Sequence, residues 1–597
     1  MSLLPFKELP PYQRRGFVPE SLDLTDWAQI EPWFDELERR GRGCATPADL
    51  EGWLLAWSEL SAVLEEEGSR RHIAMSCHTD DPAAERAFLH FVEQIEPQIK
   101  PRQFRLERLY LDQPLRTALP VERYGVFDRQ TRVHVELFRE ENVALETEET
   151  KLGQRYQKLM GSLTVPFRGE EKTLVHMARH LEETDRPTRQ EAWELVAKRR
   201  LQEAGACEQI FEQQLELRQT MAGHAGFAHY RDYAFRLRGR FDYGPDDCAH
   251  FHDAVEQEVM PLLRELQAER RERLGLAALR PWDLAVDPLN RPPLRPFERV
   301  EQMLAGTQEM FARLDPELAR GFGRMGELQL LDLDNRKGKA PGGYQSTLAE
   351  ARLPFIFMNA VGTQRDVETI LHEAGHAFHA LATRDEPLHA YRNPPVEFCE
   401  VASMGMELLA NEHLDVFYGA PDARRARREH LEGIVEVLPW IATIDAFQHW
   451  VYSHPGHSRH ERRAAWLGLM DRFAGDVHWG GHEEARASLW HRQLHLFLHP
   501  FYYIEYGIAQ LGALQLWANS RRDRPRTLAA YKAALALGGA RPLPDLFAAA
   551  GCCFDFSRQA VAPVASLLRR ELAALDGEAA GPERAAANQA QNGQKAG

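Results

Sequence analysis

Residues 372–376 read His-Glu-Ala-Gly-His, and this spacing constrains the local fold more tightly than any other feature of the chain. Two histidines four positions apart lie about 40° apart around a helix axis, so on a helix their imidazoles face one ion together. Val367, Ile370, Leu371, Ala374, Phe378 and Leu381 recur three and four apart on the opposite side, as a buried helix face requires. The segment is therefore read as an amphipathic helix with packing on one side and chemistry on the other. Glu373, one position beyond the first histidine, is set to reach a water on a shared ion rather than the ion itself. His379, three residues after His376, is read as packing or hydrogen bonding rather than ligating.

A zinc ion gripped by two imidazoles needs a third protein ligand. The run Glu397-Phe-Cys-Glu400-Val-Ala-Ser-Met-Gly-Met-Glu407 supplies one if it forms a second helix, because Glu400 and Glu407 then share a face. Glu400 closes the coordination of one ion per chain. Glu407 accepts the other ring N–H of a ligating histidine and fixes its tautomer. Further on, His495 precedes Tyr502, Tyr503 and Tyr506 at the start of an apolar helix ending near Trp517. Tyr502 and Tyr506 are four apart and co-facial. Phenol O–H groups or a histidine aimed at a developing oxyanion would stabilise the transition state of amide hydrolysis. A second histidine group, His449, His454, His457 and His460, is interrupted by Pro455-Gly456 and reads as a solvated turn.

Charge and composition exclude other classes. Lys and Arg number 73 against 89 Asp and Glu, a net charge of −16, which argues against a nucleic-acid partner. No run approaches the roughly 18 apolar residues of a membrane span. The N-terminus carries no basic segment followed by an apolar core, so a cytoplasmic protein without a membrane partner is expected. Cysteines at 44, 77, 207, 248, 399, 552 and 553 include no C-x-x-C pair, so neither a disulfide framework nor a thiolate metal site is expected.

Most of the 597 residues carry helical periodicity, clearest over Glu51–Glu67, Asp81–Glu96, Lys172–Glu183, Glu191–Ala222 and Cys248–Leu274. Val133–Phe138 and Gln329–Leu333 alternate as short strands would. Pro354-Phe-Ile-Phe-Met-Asn359 reads as a strand leading into the histidine helix through Gly362-Thr-Gln-Arg-Asp. The loop Asp334–Tyr344 is rich in glycine, but it lacks the G-x-x-x-x-G-K-[ST] spacing of a phosphate cradle. Residues 577–597 hold no large apolar side chain and are expected to be disordered.

Taken together, His372–His376, the Glu400-Val-Ala-Ser segment and the His495…Pro-Phe-Tyr-Tyr-Ile-Glu-Tyr506 segment resemble the thimet oligopeptidase / oligoendopeptidase F family of zinc metallopeptidases, its bacterial oligoendopeptidase branch most of all. Gly-Lys-Ala-Pro-Gly-Gly-Tyr344 and Pro-Phe-Ile-Phe-Met-Asn359 are similar to that branch too, and the resemblance is dense over Asp332–Trp517. It implies a mainly α, helical zincin-type metallopeptidase with a small β-sheet beside the active-site helix and an enclosed substrate channel. Residues 1–200 would form part of the channel wall and 201–576 the catalytic domain. It implies His372, His376 and Glu400 as zinc ligands, Glu373 as general base, Glu407 as the partner of a ligand, and His495, Tyr502 and Tyr506 as groups that bind substrate and stabilise the oxyanion. Gly342, Gly343, Tyr344, Phe357, Met358, Asn359 and Tyr503 are expected to contact an oligopeptide, added as a strand along Phe355–Asn359. Some members carry a further tyrosine where this chain has Ala509, which leaves the roles of Tyr502, Tyr503 and Tyr506 open. The expected activity is zinc-dependent hydrolysis of internal bonds in short peptides. A metallocarboxypeptidase on a similar scaffold would share the motif, and a silent peptide-binding protein would share the groove. The oligomeric state is not encoded in any of these features.

Overall fold

The computed structural model describes residues 4–576 apart from Lys337 and Pro341, so the tail expected to be disordered, 577–597, lies outside the described residues. Helices dominate, and what sheet there is comes in two pieces. The first is a hairpin of β1 (Thr164–Phe167) and β2 (Glu170–Thr173), turned at Arg168 and Gly169 with φ of 51° and 84°. Two left-handed residues match the twist of the strands they join. The hairpin takes Lys172 and Thr173 from what reads in sequence as a helix over Lys172–Glu183; only a short helix, Leu174–Ala178, and a 3-10 turn follow. The alternating run Val133–Phe138 is also not a strand. It ends a helix over Val121–Leu137, in which Val133 and Leu137, four apart, are both buried.

The second sheet has the order β3-β5-β4, from β3 (Leu331–Asp334), β4 (Tyr344–Leu348) and β5 (Leu353–Ala360). β3 runs parallel to β5 and β4 antiparallel to it. β5 is apolar because it is central and covered, with Phe355, Ile356 and Phe357 fully buried. This overturns the expectation that a peptide adds along Phe355–Asn359, since both edges of that strand are already paired. The outer strand beside the histidine helix is β4, whose Tyr344–Thr347 are only half-buried. The β3–β4 loop is fastened by Lys339, whose Nζ donates to the Asp334 carbonyl at 2.8 Å and the Met358 carbonyl at 2.6 Å.

The histidine helix (Gln364–Ala382) starts where the Asp366 carboxylate accepts the backbone N–H groups of Val361 and Thr363, at 2.9 and 2.8 Å. It crosses the glutamate helix (Val396–Ala410) at Gly375. A Cβ there would sit 2.5 Å from the Ser403 Cα and 2.6 Å from the Ala402 carbonyl oxygen, so only glycine allows the two backbones to touch. On its other side the glutamate helix meets the tyrosine helix (Tyr503–Ser520). A long helix, Ala420–Ser453, packs against the tyrosine helix.

The main apolar core surrounds these helices. A smaller one, built on Phe34, Trp53, Trp57, Leu106 and Tyr110 of the N-terminal helices, also takes in Leu388, Tyr391 and Ala540. Leu388 and Tyr391 belong to the connection between the histidine and glutamate helices. The Tyr391 hydroxyl donates to the Arg123 carbonyl at 2.6 Å, and the Arg123 guanidinium pairs with Glu386.

Candidate active site

The crossing at Gly375 brings three side chains together. His372 Nε2 lies 3.4 Å and His376 Nε2 3.7 Å from Glu400 Oε2, with all three ligand atoms within 4.8 Å of one another. Glu400 is buried; Ser403 Oγ donates to its Oε2 at 3.0 Å and the Tyr502 hydroxyl to its Oε1 at 2.9 Å. Burial works to raise its pKa, but His376, His372 and Tyr502 hold the carboxyl down to about 2. Burial pushes His376 down to about 4, against the pull of Glu400, so its ring is a neutral donor near pH 7.

Glu407 lies behind His372. Its Oε1 is 2.6 Å from His372 Nδ1 and its Oε2 is 3.0 Å from His430 Nε2. The Asn411 amide nitrogen, a donor, lies 3.1 Å from His430 Nδ1. His430 therefore accepts at Nδ1 and donates from Nε2 to Glu407, leaving the other carboxylate oxygen for His372 Nδ1–H. Against burial, these two histidines hold Glu407 down to about 2. His430 sits on the long helix, 23 residues beyond Glu407, with no spacing signal to announce it.

Glu373 lies on the cavity side of the helix, where the charge of His372 beside it works to lower its pKa. Burial nevertheless pushes that carboxyl up to about 7, a value matched to taking and returning a proton near neutrality.

His495 has a fixed tautomer. The Trp440 indole N–H donates to Gln493 Oε1 at 3.0 Å, which leaves Gln493 Nε2, 2.8 Å from His495 Nδ1, as a donor. His495 thus accepts at Nδ1 and keeps its proton on Nε2, 3.4 Å from the Tyr506 hydroxyl. Burial pushes its pKa down to about 4, so the ring is neutral. Neither Gln493 nor Trp440 stands out in the sequence. Tyr502 and Tyr506 divide accordingly: the first hydroxyl bonds Glu400, the second meets His495. Tyr503 packs its ring 5.0 Å from His495.

The tyrosine helix is aimed by Phe501, whose φ of 64° is left-handed and strained for a residue with a side chain. Its N–H donates to Gln448 Oε1 at 2.6 Å, and the Arg240 guanidinium holds its carbonyl while also bonding Glu505.

Other expected site residues lie nearby in different roles. Gly342 and Gly343 are exposed just ahead of β4. Phe357 and Met358 are buried and have no surface to offer a peptide; Phe357 instead stacks under Tyr344, with ring centroids 4.9 Å apart. Asn359 Nδ2 donates to the carbonyls of Ala340 and Gly342, shaping the loop. His379 is buried, with its ring against Phe398. His454 and His460 are exposed beside Pro455-Gly456, whereas His449 leaves that group and packs at Asp445. Beside the side chains of the site is a cavity of about 1040 Å³, lined by His372, Glu373, Trp440, His495, Tyr503 and Tyr506 among others. Among the described residues no helix is long and apolar enough to cross a membrane.

The model of peptidase family M3 matches residues 179–564, and that of the peptidase M3 N-terminal domain matches residues 17–138. Over 162 residues the sequence is 26% identical to an oligoendopeptidase F homolog of Lactococcus lactis subsp. lactis (strain IL1403), covering 27% of this chain and 26% of that protein. Over 157 residues it is 29% identical to oligopeptidase PepF of Bacillus subtilis (strain 168), covering 26% and 23%. The match thus spans about a quarter of the length of these relatives. The fold extends further. The structure of PZ peptidase A with an inhibitor superposes with a TM-score of 0.88 at 26% identity, covering 94% of this chain and 99% of that one. The oligoendopeptidase-F of Enterococcus faecium shares the fold at a TM-score of 0.62 and 15% identity, over 92% and 98% of the two chains.

Proposed function

The chain belongs to peptidase family M3, and from that premise we propose that it is a zinc-dependent oligoendopeptidase, hydrolysing internal bonds of short peptides. The observation that carries the reading is the convergence of His372, His376 and Glu400 at the wall of a large cavity, with Glu373 beside them. Two imidazole nitrogens and one carboxylate oxygen are the donor set of a catalytic zinc that keeps a position open. The residues fit such an ion in a second respect. Two carboxylates hold the pKa of His372 well above its ordinary value, and a divalent cation satisfies the same negative charge in place of that proton. When bound, zinc supplies Lewis acidity, making water a stronger acid and polarising a carbonyl.

The protein's own groups do the rest. Glu373 takes a proton from the attacking water and passes it to the leaving nitrogen; a carboxyl near neutrality serves both transfers. His495 Nε2–H and the Tyr506 hydroxyl donate to the carbonyl oxygen as it gains charge. The half-buried strand β4, packed beside the histidine helix at the edge of the sheet, offers backbone hydrogen bonds to an extended peptide whatever its side chains.

The test is one preparation assayed for zinc and for cleavage of an internally quenched peptide blocked at both ends, before and after chelation. Cleavage that disappears as zinc is removed is expected. Zinc without cleavage of the blocked peptide, but with release of C-terminal residues from a free one, would make it a carboxypeptidase. Peptide binding with no cleavage of either would make it a silent binder.

A further inference from the structure

Cys248 and His252 are four apart on the helix Pro245–Ala254, and Asp445 and His449 are four apart on the long helix packed against it. Each pair is co-facial, and the two faces meet. The Cys248 sulfur, a carboxylate oxygen of Asp445 and a ring nitrogen of His449 all lie within 4.8 Å of one another. Cys248 and Asp445 are completely buried, and His449 largely so. His252 Nε2 lies 2.8 Å from Asp445 Oδ2 and holds that oxygen. Asp445 Oδ1 has no hydrogen-bond partner although it is shielded from solvent, and His449 Nε2, 3.3 Å from Asp445 Oδ2, makes no hydrogen bond of good geometry. A buried carboxylate oxygen without a donor is costly, and such an orphan beside a thiol and an imidazole calls for a cation.

We propose that Cys248, Asp445 and His449 form a second metal site, separate from the His372–His376–Glu400 centre and specific for a thiophilic divalent cation of the zinc class. A sulfur ligand selects against magnesium and calcium. Binding displaces the thiol proton to solvent, and the thiolate and carboxylate together balance the two positive charges of the ion. His252 orients the carboxylate, as the hydrogen-bonding partners of metal ligands do. The role is structural. The site joins two helices one residue from Gln448, which holds the Phe501 N–H, so the ion would fix the platform from which Tyr502 and Tyr506 project. The sequence carries the signal as C-x-x-x-H and D-x-x-x-H, a spacing that a search for paired cysteines passes over.

The test uses the full chain produced with zinc and, separately, with cobalt. Two ions per chain are expected, one of which stays behind when chelation ends peptide cleavage. Cobalt-grown protein should show a thiolate-to-cobalt charge-transfer band, which the catalytic donor set cannot give because it contains no sulfur. Cys248→Ser should lose the band and one ion. The wild-type spectrum decides the matter even if that variant does not fold. Absence of the band from the cobalt-loaded wild type, or its persistence in folded Cys248→Ser, would overturn the proposal. Failure of the catalytic assignment would show up differently, as absence of the chelator-sensitive ion.

Discussion

Glu407 and His372 share the shortest contact of the candidate centre, 2.6 Å from carboxylate oxygen to Nδ1. It fixes the tautomer that leaves His372 Nε2 free as a ligand. Glu407→Ala should weaken zinc binding by roughly 10- to 100-fold, the usual effect of losing a ligand's supporting partner. Equilibrium dialysis reads this directly. His430→Ala, one step further out, should move affinity in the same direction by less.

Glu373 and Glu400 are separable by what each loses. Glu373→Gln should keep zinc and lower kcat by roughly 10²- to 10⁴-fold, the range of a lost general base. Glu400→Ala should lose the metal itself. A zinc-free Glu373→Gln preparation would move Glu373 out of the base role.

Gln493 acts through His495. Replacing it with Leu removes the donor to Nδ1 and lets the proton settle there instead, turning an acceptor toward the oxyanion position. A fall in kcat of roughly tenfold is expected, about one hydrogen bond's worth, with KM little changed. Trp440→Phe should produce a weaker form of the same defect, since Gln493 is then free to flip.

The depressed pKa of His495 has a stability consequence whose sign follows from linkage. Its folded value of about 4 lies below its ordinary 6.5, so between these values the unfolded chain binds more protons. The stability contributed by the neutral ring is therefore present above pH 6.5 and is lost as pH falls toward 4, at no more than about 1.4 kcal/mol per pH unit. Denaturant titrations of wild type and His495→Gln should diverge across that window, the wild type losing more.

Gly375→Ala places a methyl group 2.5 Å from the Ser403 Cα, where no side-chain rotation can relieve it. Overpacking of about 1–3 kcal/mol is expected as a lower melting temperature. Because the forced separation is between the two ligand-bearing helices, zinc affinity should fall with it.

The candidate centre is legible where its residues lie on single helices. His372, Glu373 and His376 follow from one turn of helix, and Glu400 and Glu407 from two turns of another. His430, Gln493 and Trp440 were not legible, because they reach the site only through the packing of separate elements and have no common spacing. The sheet edge that offers itself to a peptide is marked in the sequence by composition. Pro354–Met358 is uniformly apolar, as a strand covered on both sides must be, whereas Tyr-Gln-Ser-Thr of β4 is mixed and belongs at an edge. Val133–Leu137 alternates as a strand would, and only the helical turns before it favour the longer period.

Tyr391 and Leu388 turn the N-terminal core into something other than an appendage. The segment that carries them is the strap between the two ligand-bearing helices, and it is clasped by Arg123 and buried with Trp53 and Trp57. On the proposed assignment, the half that carries His372, His376 and Glu400 is not expected to work when excised alone. Without its N-terminal clasp, the strap loses the surface it folds against, and the two helices lose the fixed span that sets their ligands face to face.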